Sequence, residues 1–456
     1  MKLPLSFLNS LEGLPGFDRT AFEAVHDAAV GITSVRVNPA KLEIPVFPNF
    51  QPVSWSKYGW YLQSRPSFTF DPLFHAGCYY VQEASSMFLE QALTQCADVS
   101  KKLRVLDLCA SPGGKSTHLQ SLLSADSLLV SNEVIRNRAA VLKQNIIKWG
   151  TANVVVTNND PVHFGRLEGF FDVMVIDAPC SGSGLFRRDE TAIQEWSQDN
   201  VQLCYGRQQR ILSDAMPALK EGGILIYSTC SYSRLEDEQI MDWLVEEWGM
   251  GSLSLQLQED WNIVTSETLL ATGYRFYPNQ VKGEGFFLAC FRKMAGGSAV
   301  KYKTSRPEKA TAKEKEILSK WVQLEGMEVF KTASLTWALP DSLTHDLSVL
   351  QANLFLQYAG ITIGEIMHNK LVPDHALALS LIVQPYLPIT ELTYEEAIKY
   401  LQRADLHLTP AEKGWQRVTF QNQVLGWMNA LPNRINNYYP KEMRILKQHN
   451  DSAFEK

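Results

Sequence analysis

The sequence predicts an α/β protein: a doubly wound, mainly parallel sheet with a small α/β module before it and further folded regions after it. Three observations predict this. From Leu103 onward, short apolar runs alternate with stretches of helical length, the rhythm of successive β-α units. The first run passes into Asp107-Leu108-Cys109-Ala110-Ser111-Pro112-Gly113-Gly114-Lys115-Ser116-Thr117, which reads as a strand, a glycine-bearing turn and a helix start. Two later runs stop at a thiol in a polar turn, Asp177-Ala178-Pro179-Cys180-Ser181-Gly182 and Ser228-Thr229-Cys230-Ser231-Tyr232. Ligands of open α/β sheets bind outside the carboxyl ends of the strands, so both thiols are expected to face one crevice. Either cysteine alone reads first as a small apolar core residue. The pair, with a glycine loop upstream, points to a site.

In chain order, residues 1–75 read as the N-terminal module. Leu3–Leu11 and Thr20–Ala29 are expected as helices and Ser34–Asn38 as a strand. Pro39–Pro72, rich in Pro, Trp and Tyr, reads as loops and short strands. A helix is expected over Val81–Leu93. The core spans 76–293. Its strands are Leu103–Cys109, Leu128–Glu133, Val154–Thr157, Asp172–Asp177 and Ile224–Thr229. Its helices are Lys115–Leu123, Arg136–Trp149, Asn200–Leu219 and Arg234–Glu247. Asn262–Thr265, Gly273–Tyr277 and Phe286–Arg292 complete the sheet, so a chain ending near Lys293 is expected to keep this fold. Residues 294–320 contain Gly296-Gly297-Ser298 and then seven basic against three acidic residues. They read as a basic linker or as a solvated charged helix. Residues 321–385 read as a small intermediate domain and 386–456 as a terminal one.

The composition suits a water-soluble globular chain: 45% of residues are hydrophobic and 20% charged. The net charge of −6 argues against a surface that binds nucleic acid all over, but not against a local basic patch. The charge is uneven. Residues 1–300 carry 25 Lys and Arg against 32 Asp and Glu, and residues 301–456 carry 18 against 17. Seven cysteines are scattered without a C-x-x-C pair, so neither a structural metal site nor a disulfide framework is expected. Free thiols suit a reducing, cytoplasmic setting. The first 17 residues are too interrupted for a secretion signal, and no run approaches the ~20 apolar residues of a membrane span.

The loop Cys109, Ala110, Ser111, Pro112, Gly113, Gly114, Lys115 fits cofactor binding. Glycines admit a ligand close to the backbone, and a helix N-terminus offers free N–H groups. Glu133 ends the second strand, twenty residues past Gly113, where an acid accepts hydrogen bonds from ribose hydroxyls. Asp160 follows the third strand and Asp177 ends the fourth. A rival reading is a P-loop, because Gly114-Lys115-Ser116 matches the end of G-x-x-x-x-G-K-[ST]. The first glycine of that motif would be residue 109, which is cysteine, and this weakens it.

These stretches together resemble the RNA cytosine-5 methyltransferases of the Sun/Nop family. Gly283-Glu284-Gly285-Phe286-Phe287-Leu288-Ala289 looks like that family's last core motif. Arg36-Val37-Asn38 and His75–Ser86 look like its N-terminal module. The tail, through Pro373–Leu379, Glu396–Leu401, Gly414–Trp427 and Asn437–Arg444, resembles the bacterial ribosomal RNA branch. One departure is Pro278-Asn279, where many relatives carry Pro-His, so the role of Asn279 is open.

The resemblance implies a Rossmann-like methyltransferase sheet, a PUA-like RNA-binding region at the C-terminus and an RNA-binding N-terminal module. It implies S-adenosylmethionine as cofactor and a cytosine of ribosomal RNA, within the small subunit or free of it, as substrate. The enzyme would act as a monomer. Carbon 5 of cytosine is a poor nucleophile, and a thiolate added at carbon 6 activates it. By the family pattern Cys230 is that nucleophile and Cys180 assists release, while Asp177 bonds the base edge. Lys115 would favour the thiolate. DNA cytosine methyltransferases use the Pro-Cys thiol instead, so Cys180 as nucleophile stays an alternative. So do a transfer RNA substrate, a protein or small-molecule methyltransferase, and a non-catalytic RNA-binding factor on the same fold. Arg187 and Arg188 are candidates for holding phosphates, and Trp55, Tyr58, Trp60 and Tyr61 for stacking on bases. Lys101, Lys102 and Arg104 read as surface.

Overall fold

A computed structural model of the chain describes residues 3–28, 31–296, 301–408 and 412–447. Its centre is a sheet of ten strands, numbered here in chain order. They are β1 Arg104–Asp107, β2 Leu128–Asn132, β3 Val154–Thr157, β4 Phe171–Asp177, β5 Leu219–Thr229, β6 Met250–Leu253, β7 Val264–Glu267, β8 Thr272–Phe276, β9 Phe286–Lys293 and β10 Leu356–Ala359. The order is β7-β8-β9-β5-β4-β1-β2-β3-β10, with β6 on the same side of β9 as β8. The strands β3-β2-β1-β4-β5 are parallel, and β9 and β10 run antiparallel at either side.

Every residue of β2 and β3 is buried, as the apolar runs Leu128–Val130 and Val154–Val156 require of strands covered on both faces. The helices are α1 Gly114–Leu122, α2 Arg136–Trp149, α3 Gln198–Ala215 and α4 Glu238–Trp248. Ser197 caps α3 by accepting the Asn200 N–H at 3.0 Å. The helix stops at Ala215, before Leu219, because Pro217 shapes a 3-10 turn over Met216–Ala218. The strand order changes direction between β1 and its neighbours β2 and β4, so the loops after these strands open one crevice.

The helix expected over Val81–Leu93 begins later. Tyr79–Val81 is a strand, and the helical stretch runs from Ser85 to Cys96. The Glu83 carboxylate explains the break, because it accepts the Ser85 and Ser86 N–H groups at 2.9 Å and so caps the turn that follows.

Around the N-terminus, helices Leu5–Leu11 and Arg19–Asp27 precede an antiparallel sheet. Its order is Phe50–Pro52, Gly59–Leu62, Thr33–Val37, Tyr79–Val81. The helices bring Phe7 and Phe22 onto Phe186, Tyr232 and Tyr277 of the core. Trp55 and Tyr61, offered above as stacking platforms, are buried packing residues instead.

The sheet is not complete at Lys293. Strand β10 pairs with β3, and Leu347, Leu350 and Leu354 share one apolar cluster with Leu106, Phe170 and Met174. Asp346, buried, pairs with Arg104 at 2.8 Å, so Arg104 docks the tail rather than lying free at the surface. Within 294–320, Ala312–Ser319 is a helix whose Lys315 pairs with Glu328 at 2.6 Å. A second sheet runs Glu308–Lys309, Met327–Thr332, Leu335–Pro340, Ile361–Met367, Lys370–Pro373. A last four-stranded sheet runs Ile389–Glu391, Gly414–Phe420, Gln423–Leu431, Arg434–Asn437. It folds back on the N-terminal module, where Leu73 and Tyr79 pack with Tyr400, Met428 and Tyr439. No helix among the described residues is long and apolar enough to cross a membrane.

Candidate active site

Each motif falls at the carboxyl end of its strand. After β1, the chain turns through Cys109–Gly113, and α1 starts at Gly114. Gly113 has φ +114°, a region that a side chain disfavours. A Cβ there would also stand 3.2 Å from Leu142 Cδ1. The loop is held from the second strand tip: the Ala110 N–H donates to Asn132 O at 2.8 Å, and Asn132 Nδ2 donates to Leu108 O at 3.1 Å. Asn132 also donates to Asn159 O at 3.0 Å and accepts the Asn159 N–H. One side chain therefore ties the tips of β1, β2 and β3 together.

A cavity of about 150 Å³ lies over this loop. Cys109–Pro112, Gly114, Lys115 and Asp177 form one wall, and Tyr80–Glu83 and Ser86 of the N-terminal module form the other. Lys115 Nζ is 2.8 Å from Asp177 Oδ2 and lies over the Phe286 ring at 5.1 Å. The Ser228 hydroxyl donates to the other Asp177 oxygen at 2.7 Å. Asp107, fully buried below the loop, accepts the Ser116 hydroxyl at 2.6 Å.

Glu133 and Asp160 follow the next two strands and are not among the residues that line this cavity. Glu133 is buried, accepts the Ile135 N–H at 2.9 Å and lies 3.5 Å from Arg138. Asp160 caps the turn Pro161–Arg166 through Val162 N–H and faces Arg210 at 3.3 Å. The donor set fits a nucleoside-type cofactor: glycine backbone at a helix start, then acids at successive strand ends.

The two thiols converge. Cys180 Sγ and Cys230 Sγ are 3.0 Å apart, and both are free thiols. The contact with Cys230, followed by burial, pushes the Cys180 thiol well above the ordinary range. The backbone around them is close-packed. The Gly184 N–H donates to Cys230 O at 2.8 Å and the Gly285 N–H to Gly184 O at 3.3 Å. A Cβ on Gly184 would sit 2.4 Å from Gly285 O, so only glycine lets these three segments meet.

Several residues that the sequence reading left without a role, or with another one, are fixed by the geometry. Glu236 bonds both cysteine loops: it accepts the Ser181 N–H at 2.7 Å and the Ser181 and Ser231 hydroxyls at 2.6 Å. Arg36, fully buried, donates to Gln82 at 2.9 Å and to Thr117 Oγ1 at 2.6 Å, so it joins the N-terminal module to α1. Arg187 does not reach out for phosphate; its side chain is 4% exposed and lies 3.4 Å from Glu284. Arg188 lies 3.7 Å from the same carboxylate. The side-chain oxygen of Asn279 is buried without a hydrogen-bond partner. No cluster suited to a metal ion occurs among the described residues.

Comparison with known proteins gives this arrangement a lineage. Residues 95–292 match the family model "16S rRNA methyltransferase RsmB/F". Residues 3–84 match "N-terminal domain of 16S rRNA methyltransferase RsmF", and 388–445 match "Methyltransferase RsmF PUA domain". The chain is 31% identical to the ribosomal RNA small subunit methyltransferase F of Vibrio campbellii over 442 residues, 90% of this chain and 91% of that protein. It is 30% identical over 438 residues to the protein of the same name from Escherichia coli O9:H4, with 90% of each covered. Among solved structures, a methyltransferase homolog from Pyrococcus horikoshii superposes with TM-score 0.51 at 29% identity, covering 64% of this chain and all of that one. NSun6 from the same organism, crystallised with SFG, does so with TM-score 0.52 at 18% identity, covering 64% and 98%, and so speaks for the fold alone. On these matches the chain belongs to the RsmB/F family of 16S rRNA methyltransferases.

Proposed function

We propose that this protein transfers a methyl group from S-adenosylmethionine to carbon 5 of a cytosine in small-subunit ribosomal RNA, through a covalent adduct on Cys230. The observation that carries the chemistry is the convergence of two free thiols, 3.0 Å apart, at the tips of β4 and β5. A fold used only for binding has no need of both. Family membership supports the substrate class.

Residues Cys109–Lys115 and Glu133 hold the cofactor in this reading, with Asp160 closing the far side and Asp177 between cofactor and base. When bound, S-adenosylmethionine supplies an electrophilic methyl on a sulfonium centre. The chain's own residues do the rest. Two sulfurs this close do not both ionise readily, because like charges oppose each other. Contact with Cys230 and burial hold Cys180 as a thiol at this stage. In this reading, which follows the family pattern, Cys230 attacks carbon 6 and opens the nucleophilic character of carbon 5. Asp177, fixed by Lys115 and Ser228, faces the ring edge. Once Cys230 is a neutral thioether on carbon 6, the contact that held Cys180 protonated is gone. Cys180 then gives its proton to solvent, and its thiolate takes the carbon 5 proton. The electron pair left by that proton re-forms the carbon 5–carbon 6 double bond and expels Cys230 as a thiolate. The cytosine must leave its stack to reach these thiols.

The test separates the thiols. Cys230→Ala should abolish methyl transfer and form no adduct. Cys180→Ala should accumulate RNA-linked protein that survives denaturing electrophoresis, because release is blocked after Cys230 has bonded. The opposite pattern would assign the nucleophile to Cys180. Wild-type turnover in both variants would remove covalent catalysis.

A further inference from the structure

We propose that Glu236 is a positioning residue for the methyl transfer: by bonding both thiol-bearing loops through one carboxylate, it sets the distance between Cys180 and Cys230. The inference rests on the reading of the two thiols given above.

The two cysteines come from segments fifty residues apart, and neither sulfur is tied to the other by a covalent bond. Something must hold the loops in register. Strand pairing does so only up to Asp177 and Ser228, before either cysteine is reached. Beyond that point the backbone supplies the Ala178 N–H to Ser228 O and Gly184 N–H to Cys230 O bonds, both 2.8 Å, and side chains hold the residues next to the sulfurs. Glu236 sits in the turn before α4, six residues after Cys230, with no exposed surface. One oxygen accepts the Ser181 N–H, and the other accepts the hydroxyls of Ser181 and Ser231. Each serine is the residue immediately after a cysteine, so the carboxylate fixes both backbones one residue from the sulfur.

Gln208 of α3 completes the clamp. It donates to Pro179 O at 3.1 Å and to Glu236 at 3.4 Å, which holds the other side of Cys180. The Tyr227 hydroxyl donates to the Glu236 carbonyl at 2.7 Å, so the clamp is anchored to β5 itself. These donors to the carboxylate are all uncharged. Burial pushes the Glu236 carboxyl up, and the serine and backbone donors oppose that shift. A carboxyl group suits the place because it offers two oxygens with several acceptor sites to converging donors. Its charge also bears on the site, since it raises the Cys180 thiol further.

Full-length Glu236→Ala and Glu236→Gln would be compared with wild type in three measurements. The first is bridging of the two thiols by phenylarsine oxide, followed by intact-mass spectrometry with Cys180→Ala as the control for other thiol pairs. The second is methyl transfer to 16S RNA, with kcat and KM separated. The third is S-adenosylmethionine affinity by calorimetry. Glu236→Ala should lose the Cys180-dependent arsenical bridge and should lose kcat by ~100-fold, the scale of a misplacement near 1 Å. Cofactor affinity should stay within about twofold, because no cofactor-loop residue bonds Glu236. Glu236→Gln keeps an acceptor for the Ser181 N–H and a donor for the hydroxyls. It should restore the bridge and return kcat to within about tenfold of wild type.

An unchanged bridge in Glu236→Ala would overturn the proposal, as would a Gln variant no better than Ala. If Glu236→Ala does not fold, the Gln variant decides: loss of its bridge with cofactor affinity retained would overturn the proposal, and an intact bridge would uphold it. The arsenical readout needs no turnover. It therefore still reports the clamp if Cys230 proves not to be the nucleophile.

Discussion

The two halves of the crevice are built in different ways. The thiol half, at the tips of β4 and β5, is held by nearby chain: Cys180, Ser181, Gln208, Cys230, Ser231 and Glu236 all lie between residues 180 and 236. The cofactor half, at the tips of β1 to β3, depends on both ends of the protein. Arg36 and Gln82 of the N-terminal module brace α1. From the other end, the Phe355 N–H donates to Asn159 Oδ1 at 3.0 Å, and Asn159 Nδ2 donates back to Phe355 O at 3.0 Å. That reciprocal pair holds the loop that carries Asp160. The thiol half is thus encoded mainly in one stretch of chain, with the Gly285 segment packed against it, whereas the cofactor half draws on both ends of the protein.

The sharpest way to break this contrast is to remove the tail. A chain ending near Lys293 would leave β3 paired only with β2 and its other, apolar edge open to solvent, a state prone to association. It would also strip Leu347, Leu350 and Leu354 from the main core. We expect it to be insoluble or to lack a cooperative melt, checked by soluble yield and circular dichroism. A soluble, cofactor-binding fragment would show that the cofactor half is as self-contained as the thiol half. Asn159→Ala is the milder form. Two hydrogen bonds worth about 0.5–1.5 kcal/mol each would be lost from a chain that still folds. Cofactor affinity should fall while the Cys180-dependent thiol bridge stays intact.

The same contrast explains what the sequence could and could not reveal. The strand-tip motifs are consecutive residues, so strand, turn and chemistry appear side by side, and Asp107–Thr117, Asp177–Gly184 and Ser228–Tyr232 were legible. Glu236 left a signal too, an acidic run Glu236-Asp237-Glu238 opening a helix just after a thiol motif, though nothing in the spacing says which of these three buried acids meets the thiol loops and which two face Arg275. Arg36 was quoted as a motif residue, but its burial against α1 is a tertiary fact. The Phe355–Asn159 pair spans 196 residues, and β10 adds a strand from a region read as a separate domain. Pairing between distant strands leaves no local pattern. Arg187 and Trp55 show the converse error, because polar and aromatic residues near a site are as readily recruited to hold it as to face a ligand.

A smaller effect is expected from Glu133→Ala. It removes one acceptor from the cofactor half and leaves the strands in place. Loss of a hydrogen bond to such a group costs about 1–3 kcal/mol, roughly 5- to 150-fold in affinity. Calorimetry with S-adenosylmethionine would read it. Unchanged affinity would remove Glu133 from the cofactor site. Strong ATP binding with hydrolysis by the wild type would instead revive the P-loop reading of Gly114-Lys115-Ser116.

The smallest effect sets one buried carboxyl against another. Asp107, on the cofactor side, is raised to about 7 chiefly by burial, and its Oδ1 has no partner. Glu284, on the thiol side, is also raised to about 7 by burial, but Arg187 and Arg188 face it. In the unfolded chain these groups ionise near 3.8 and 4.5. Between those values and about 7 the folded protein holds protons that the unfolded chain releases. The contribution of these two groups to stability therefore falls as pH rises through that window and is constant on either side. The buried histidines His26, His75, His118 and His375, lowered by burial, act in the opposite direction, so only the difference between variant and wild type isolates each carboxyl. Asp107→Asn keeps an acceptor for Ser116 and removes one of these protons. Its melting temperature should gain on wild type by a few degrees between pH 5 and pH 8, a change visible in a calorimetric series. Glu284→Gln should behave otherwise. It removes the same pH dependence but also takes the carboxylate from the nearly buried Arg187, so the variant should melt below wild type at pH 8, where Glu284 is ionised and paired. If the two variants shift together, the pairing on the thiol side contributes nothing to stability, and the contrast between the two halves does not extend to their charges.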